Sequence, residues 1–382
     1  LIGIFFYLYF IRNIIYKNKE ILLFISIFLV LFISALIFKT HDDFPYYHFG
    51  YSYYLTQSSS HIGIGAFNHG FKTPSSIFYL NSLFYLPAVK YYMFHMPALL
   101  IMGFSNYILL NKIIKNIKNK SINFLTFFSL LSVLFINIFF YRVGEHGTDR
   151  SAQILVFILL IEILLLINFS VDKHLQIAKI YILIGLIISF KAFYILYLLF
   201  FIPVIFFYYE KNNLFKVFDI IQNKFFIFFI FLILLLGISN LFNTGCFLYP
   251  VNLTCFENLR WSFDSEHILH MNNWYEQWSK AGAGPNFRVE NASEYIAYFN
   301  WVPNWIEKYF FNKVSDFLGG SLILSIIVFL TFYSKIKNQI NSYNISLVYF
   351  VLSILFIEWF YNHPSLRYGG YCLLATFIFL PI

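Results

Sequence analysis

Two adjacent carboxylates, Asp42 and Asp43, follow the uncharged apolar run 21–38. A run of that length can cross a membrane as one helix, which leaves both acids at a membrane face. Carboxylates at the mouth of a hydrophobic bundle are placed to accept a proton or to bind a metal ion. We therefore predict that Asp42 and Asp43 are catalytic, with His48 nearby. The alternative is that the two acids cap the first turn of the helix that follows them.

Three further polar clusters interrupt long apolar stretches. They are, in chain order, Glu145, Asp149 and Arg150 in the turn 142–150, Lys191 within 177–209, and Arg367 with Tyr368 in 364–370. Charged side chains at membrane depth are costly, so each cluster is a functional candidate. The alternatives are a local ion-pair network in 142–150 and anchoring of Arg367 among lipid headgroups.

Roles for these residues follow from their chemistry, since carboxylates suit base or metal work and cations suit a phosphate. We predict that Glu145, Asp149 and His48 orient an acceptor or a metal. We predict that phosphate is bound by Lys191, Arg367, Arg150 and Tyr368. A divalent metal ion, if used, would be held by Asp42 and Glu145.

The composition excludes a soluble domain. Of 382 residues, 60% are hydrophobic and 12% charged, and the mean hydropathy is +0.70, which is more apolar surface than water can solvate. The net charge of +8 is concentrated in short basic loops near 11–20, 111–121, 170–179, 210–224 and 334–344. By the positive-inside rule these loops are cytoplasmic, and Asp42 and Asp43 face the exterior. Cations dispersed over loops do not form a nucleic-acid site, so no nucleic-acid partner is expected.

The elements that must position these side chains are helices. We predict an all-α, polytopic transmembrane bundle of about ten or eleven helices, beginning with 1–16 and 21–38, and a juxtamembrane segment at 75–89. The stretch 177–209 must cross twice to keep both flanking basic loops on one side, which places Lys191 at the turn between two short helices. The chain begins at Leu1 and ends inside an apolar run, so we expect a fragment of a longer protein.

Three regions are predicted. Residues 1–243 form the bundle, with a catalytic first external loop at 39–75; residues 244–316 form a periplasmic cap loop; and residues 317–382 form truncated C-terminal helices. The cap carries Cys246 and Cys255, which lie on the external side, where a disulfide can persist. Its tryptophans suit packing or a membrane-interface belt better than sugar stacking. The spacing of His267 and His270 fits a metal pair on one helical face, but a solvated surface is favoured because no third ligand accompanies them.

The order of these motifs resembles the GT-C superfamily of integral-membrane glycosyltransferases, notably lipid A aminoarabinose transferases and protein mannosyltransferases. The matching positions are Asp42 and Asp43 in the first external loop, Glu145 and Asp149 in the second, Lys191 between two short helices, and Arg367-Tyr368 before a late helix. One departure is Ala192-Phe193 after Lys191, where those families often have Gly-Pro. Segments 245–262 and 272–317 also look like those of uncharacterised bacterial membrane proteins.

The resemblance implies a glycosyltransferase of the bacterial inner membrane with its active site on the periplasmic face. Its donor would be a polyprenyl-phosphate-linked sugar in the lipid bilayer, and its acceptor a glycan, lipid or protein. One alternative is a transporter or flippase that uses the intramembrane Glu162, Lys191 and Glu358. Another is an O-antigen polymerase or ligase that uses a late external loop with Arg260, Arg288, His267 and His270.

Overall fold

A computed structural model describes residues 18–37, 42–58, 61–142, 147–168, 172–209, 220–284, 289–332 and 342–380. Within these ranges the chain is helical and contains no β-strand. The α-helices are α1 (Asn18–Ile37), α2 (Phe49–Gln57), α3 (Ser76–Leu83), α4 (Met96–Lys118), α5 (Phe124–Phe139), α6 (Thr148–Asn168), α7 (Lys173–Phe190), α8 (Phe201–Tyr209), α9 (Lys224–Thr244), α10 (Ser265–Lys280), α11 (Ala292–Ile296), α12 (Val302–Trp305), α13 (Ser315–Phe332), α14 (Ser342–Asn362) and α15 (Tyr371–Phe379).

Shorter elements connect these helices. The short 3-10 turns are Ile64–Ala66, His69–Lys72, Tyr91–Met93 and Asn252–Thr254, and a longer 3-10 helix is Ala192–Phe200. Wide π-helical turns are Phe44–His48, Ile306–Val314 and Leu366–Gly370. The predicted helix 1–16 and the predicted site residue Glu145 lie outside the described residues.

Seven helical segments are long and apolar enough to cross a membrane, which supports a membrane protein of the predicted all-α class. They are Glu20–Ile37, Tyr91–Lys118, Thr148–Asn168, Lys173–Phe190, Lys224–Thr244, Val302–Phe332 and Ile345–Asn362. Three shorter apolar helices are Phe124–Phe139, Ala192–Phe207 and Gly370–Phe379. The helical run that the sequence predicts from residue 317 begins earlier, at Val302, because the π-helical turn Ile306–Val314 joins α12 to α13 without a break.

Helix α6 lies at the centre of the bundle. Almost all of its side chains are buried, as expected for a helix that is apolar on every face. It packs most extensively against α7. The two helices are antiparallel, because Asp149 near the start of α6 pairs with Lys191 after α7, and Glu162 near its end pairs with Lys179 early in α7.

Polar end groups set the limits of this helix pair. Asp172 caps α7 by accepting hydrogen bonds from the backbone N–H groups of His174 and Leu175. Helix α7 ends at Phe190, and Lys191 has an extended backbone before the 3-10 helix begins. The predicted interruption of 177–209 at Lys191 is therefore confirmed.

Residues 245–280 pack against residues 64–72, which precede α3 in the chain. Cys246 and Cys255 are joined by a disulfide, as the sequence allowed. The Lys72 Nζ lies 2.8 Å from His267 Nε2 on α10, and the His69 ring lies 4.7 Å from that of Trp274. These contacts fix α10 against the 3-10 turn His69–Lys72.

Candidate functional site

Arg367 is the hub of a cluster of four charged side chains. Its Nε donates to Asp149 Oδ2 at 2.8 Å, and a terminal guanidinium nitrogen donates to Asp43. The other Asp149 oxygen lies 3.2 Å from Lys191 Nζ. The four residues come from the turn after α1, the start of α6, the end of α7 and the turn before α15. Side chains that are far apart in sequence thus meet in one network.

The cluster balances two cations with two carboxylates, and its members differ in accessibility. The side chain of Asp149 is 7% exposed and that of Lys191 is 17% exposed. Asp43 and Arg367 are more accessible, at 20% and 32%. Because Asp149 bonds both cations and is the most buried member, it is suited to orient them. Asp43 is the carboxylate that a ligand can reach.

The turn that carries Arg367 is held by hydrogen bonds from surrounding aromatic side chains. The indole N–H groups of Trp305 and Trp359 donate to the carbonyls of Pro364 and Ser365, each at 2.8 Å. The hydroxyl of Tyr309 accepts from the backbone N–H of Leu366 at 2.9 Å. The backbone that leads to Arg367 is therefore fixed by three side chains.

Two glycines allow the turn to fit its surroundings. Gly369 has a φ of +92°, a conformation that residues with a Cβ rarely adopt. A Cβ on Gly370 would lie 2.4 Å from the ring of Trp359. The pattern Arg-Tyr-Gly-Gly is therefore explained by backbone geometry after the arginine.

Tyr47 and His48 lie beside the cluster but differ in their contacts. The Arg367 guanidinium donates weakly to the hydroxyl of Tyr47 at 3.4 Å, and burial raises the pKa of this phenol. Burial lowers the pKa of His48 to about 3, so its ring is neutral at pH 7. No described residue forms a hydrogen bond with either ring nitrogen of His48, whose ring packs 5.2 Å from that of Phe78. The acceptor-orienting role of His48 stays a prediction.

A cavity of about 220 Å³ opens next to the cluster. Lys191 and Tyr368 line it, and the Lys191 ammonium lies 5.8 Å from the centre of the Tyr368 ring. Glu358 and His363 contribute further polar groups. The remaining lining is mostly apolar and comes from the 3-10 helix after Lys191 and from the disulfide loop: Phe193, Ile195, Leu196, Leu248, Tyr249, Pro250 and Val251.

Other predicted residues lie apart from the cluster. Asp42 is exposed at the surface, unlike its neighbour Asp43. Arg150 lines a separate cavity of about 20 Å³ with Arg142. Among the described residues, no three His, Cys, Asp or Glu side chains are grouped as metal ligands. The metal site predicted at Asp42 and Glu145 includes a residue outside these ranges and stays a prediction.

The site also contains residues that the sequence reasoning did not assign to it. Tyr47 contacts Arg367, and Glu358, which the sequence suggested only for a transport path, lines the cavity. Gln153 donates to the carbonyl of Arg367 at 2.9 Å. Its position four residues after Asp149 places both side chains on one face of α6, a signal that was present in the sequence.

Comparison with known proteins identifies a family. Residues 4–374 match a family model described as "Domain of unknown function (DUF8201)", and the chain belongs to this family. No curated protein and no solved structure showed a significant match.

Proposed function

We propose that this DUF8201 protein is a membrane glycosyltransferase that moves a sugar from a polyprenyl-phosphate donor to a periplasmic or lipid-linked acceptor. The observation that carries the proposal is the meeting of Asp43, Asp149, Lys191 and Arg367 beside a largely apolar cavity. A reachable carboxylate supplies a base, and two fixed cations supply a binding site for a phosphate.

In the proposed reaction, Asp43 accepts the proton of the acceptor hydroxyl. The acceptor oxygen forms a bond to the anomeric carbon of the sugar, and the bond from that carbon to the phosphate oxygen breaks. The lipid phosphate leaves with the bonding electron pair. Arg367 and Lys191 stabilise its negative charge, which is the electrostatic contribution expected of a preorganised site.

In this proposal the donor has a second role, because Arg367 also contacts Asp43. The donor phosphate competes with Asp43 for Arg367, so donor binding releases the carboxylate for proton transfer. Asp149 keeps Arg367 and Lys191 in place during this exchange, since it contacts both.

The cavity suits an amphipathic donor. Its apolar walls favour a prenyl chain, and Lys191 at its boundary favours the phosphate. The polar residues Glu358, His363 and Asn272 in the same lining offer hydrogen bonds to sugar hydroxyls. A membrane location provides a lipid-linked donor in the same bilayer as the protein.

The alternative functions lack a comparable observation. A transport path would need polar groups along the bilayer, but Val156, Phe157 and Leu160, between the two charged ends of α6, are apolar and buried. For a polymerase or ligase, Arg260 and His270 are exposed, His267 contacts Lys72, and Arg288 lies outside the described residues.

The test is sugar transfer by purified protein in proteoliposomes, with polyprenyl-phosphate-linked sugars as donors. Asp43→Asn should lower the transfer rate by about 10²–10⁴-fold, the usual contribution of a general base. Asp42→Asn is the matched control, because it removes a neighbouring but exposed carboxylate, and it should change the rate by less than about threefold. Transfer by Asp43→Asn at the wild-type rate, with the protein folded, would refute the proposal.

A further inference from the structure

The side-chain amide of Gln153 spans the turn that presents Arg367. Its Nε2 donates to the Arg367 carbonyl at 2.9 Å, and its Oε1 accepts from the backbone N–H of Cys372 at 3.1 Å. Gln153 is fully buried. One side chain therefore uses both ends of its amide on two backbone groups that flank the two glycines of the turn.

The backbone needs these bonds because it is not helical at this point. Tyr368 and Gly369 have non-helical φ and ψ angles within the turn, so regular helical hydrogen bonds are interrupted there. The N–H of Cys372 lies in the first turn of α15, where amides have no intrahelical acceptor. Gln153 supplies that acceptor and, with its other end, fixes the peptide that carries the Arg367 side chain.

The other anchors of the turn act before Arg367. Trp305, Trp359 and Tyr309 bond the backbone at Pro364, Ser365 and Leu366. Gln153 acts at Arg367 itself and beyond. It also lies one helical turn from Asp149, which bonds the guanidinium of the same arginine. Helix α6 thus holds the backbone and the side chain of Arg367 through two residues on one face.

We infer that Gln153 is a positioning residue that keeps the Arg367 guanidinium between Asp43 and Asp149. Its catalytic consequence rests on the proposed function, whereas its effect on the arginine does not. The two hydrogen bonds of Gln153 form a clamp on the turn. Loss of this clamp lets the turn move and makes Arg367 more accessible to reagents in solvent. It also weakens the alignment of Arg367 with a donor phosphate.

The direct test measures modification of Arg367 by phenylglyoxal, quantified by mass spectrometry on the full chain in detergent. Gln153→Met removes both hydrogen bonds with little change in side-chain volume. Modification of Arg367 should become about tenfold faster, the population shift that corresponds to a loss of about 1.4 kcal/mol, within the usual value of a hydrogen bond. The exposed Arg260 serves as an internal standard whose rate should not change.

The matched control is Gln176→Met. Gln176 is also a buried glutamine between α6 and α7, but it bonds Glu162 near the opposite end of the pair. It should leave the modification of Arg367 unchanged. If Gln153→Met does not fold, Gln153→Asn is used instead, because its shorter amide keeps a polar group in this buried position but cannot span both backbone groups.

Kinetics separate this inference from the proposed function. If the wild-type protein transfers sugar, Gln153→Met should lower kcat about tenfold, by the same conversion, with the acceptor KM unchanged. A wild-type protein without transferase activity would refute the proposed function, but the reactivity of Arg367 would still test the clamp. Wild-type reactivity of Arg367 in folded variants at position 153, or an equal increase in Gln176→Met, would overturn the inference.

Discussion

Replacing Arg367 by methionine is expected to destabilise the protein by about 3–5 kcal/mol, because removal of one member of a buried ion network leaves charge uncompensated. The guanidinium contacts both Asp149 and Asp43. After the substitution Asp149 keeps Lys191, at 3.2 Å, whereas Asp43 loses this cation. Because the Asp43 side chain is 20% exposed, water screens part of its charge, and we expect a value near the lower end, about 3 kcal/mol.

A double-mutant cycle tests whether this loss comes from the uncompensated carboxylate. In Arg367→Met, the additional change Asp43→Asn should restore about 1–2 kcal/mol, since it removes the charge that the arginine balanced. The same change at Asp42 should restore nothing, because Asp42 is exposed and lies outside the network. The free energy of unfolding is measured by denaturant titration in detergent, with tryptophan fluorescence as the signal.

Two results would contradict this reasoning. One is an Arg367→Met protein as stable as the wild type, which would mean that the network contributes no net stability. The other is equal coupling of Arg367 with Asp42 and Asp43. That result would indicate a general charge effect at the membrane face in place of a specific contact.

Two further predictions concern the buried polar groups of Lys112 and His48. Lys112→Met should raise the free energy of unfolding by about 1–3 kcal/mol, because no described residue accepts a hydrogen bond from the buried Lys112 ammonium. The control is Lys115→Met, which should change the free energy of unfolding by less than about 1 kcal/mol, because the Lys115 side chain is 57% exposed beside Glu20. A Lys112→Met protein that is less stable than the wild type would contradict the prediction. Between pH 7 and pH 5, His48 alone should lower the free energy of unfolding of the wild-type protein by about 2 kcal/mol. Burial lowers the pKa of His48 to about 3, so below about pH 6.5 only the unfolded chain takes up a proton at this residue. His48→Phe should remove this part of the pH dependence, as measured by unfolding at both pH values; an unchanged slope in His48→Phe would contradict the lowered pKa of His48.

Much of the site could be predicted from the sequence, because polar residues in a strongly apolar chain stand out. Lys191 was expected at a helix break, and Arg367 and Asp149 were expected on the same side of the membrane as the acidic pair. These arguments need only charge, hydropathy and the direction in which each helix crosses. They do not specify which side chains touch.

The remaining features depend on local directions that composition does not encode. Asp42 and Asp43 are adjacent, and only the backbone of the following π-helical turn directs one to solvent and the other to Arg367. The start of the late helix at Val302 was missed because Glu307, Lys308 and Lys313 lower the hydropathy of a segment that is nevertheless helical. Gln153 was missed because a single uncharged amide hardly changes the composition of an apolar helix, although its spacing from Asp149 places both on one face.

The two charged ends of the α6–α7 pair constrain how the protein sits in a bilayer. Twelve residues separate Lys179 from Lys191 along α7, which corresponds to about 18 Å at the rise of an α-helix. The hydrocarbon core of a bilayer is about 30 Å thick. Both ammonium groups can reach the headgroup layers of a flat bilayer at once only if both lysine side chains extend outward along the bilayer normal. Otherwise the bilayer around this pair is thinner than average, or water enters at one end of it.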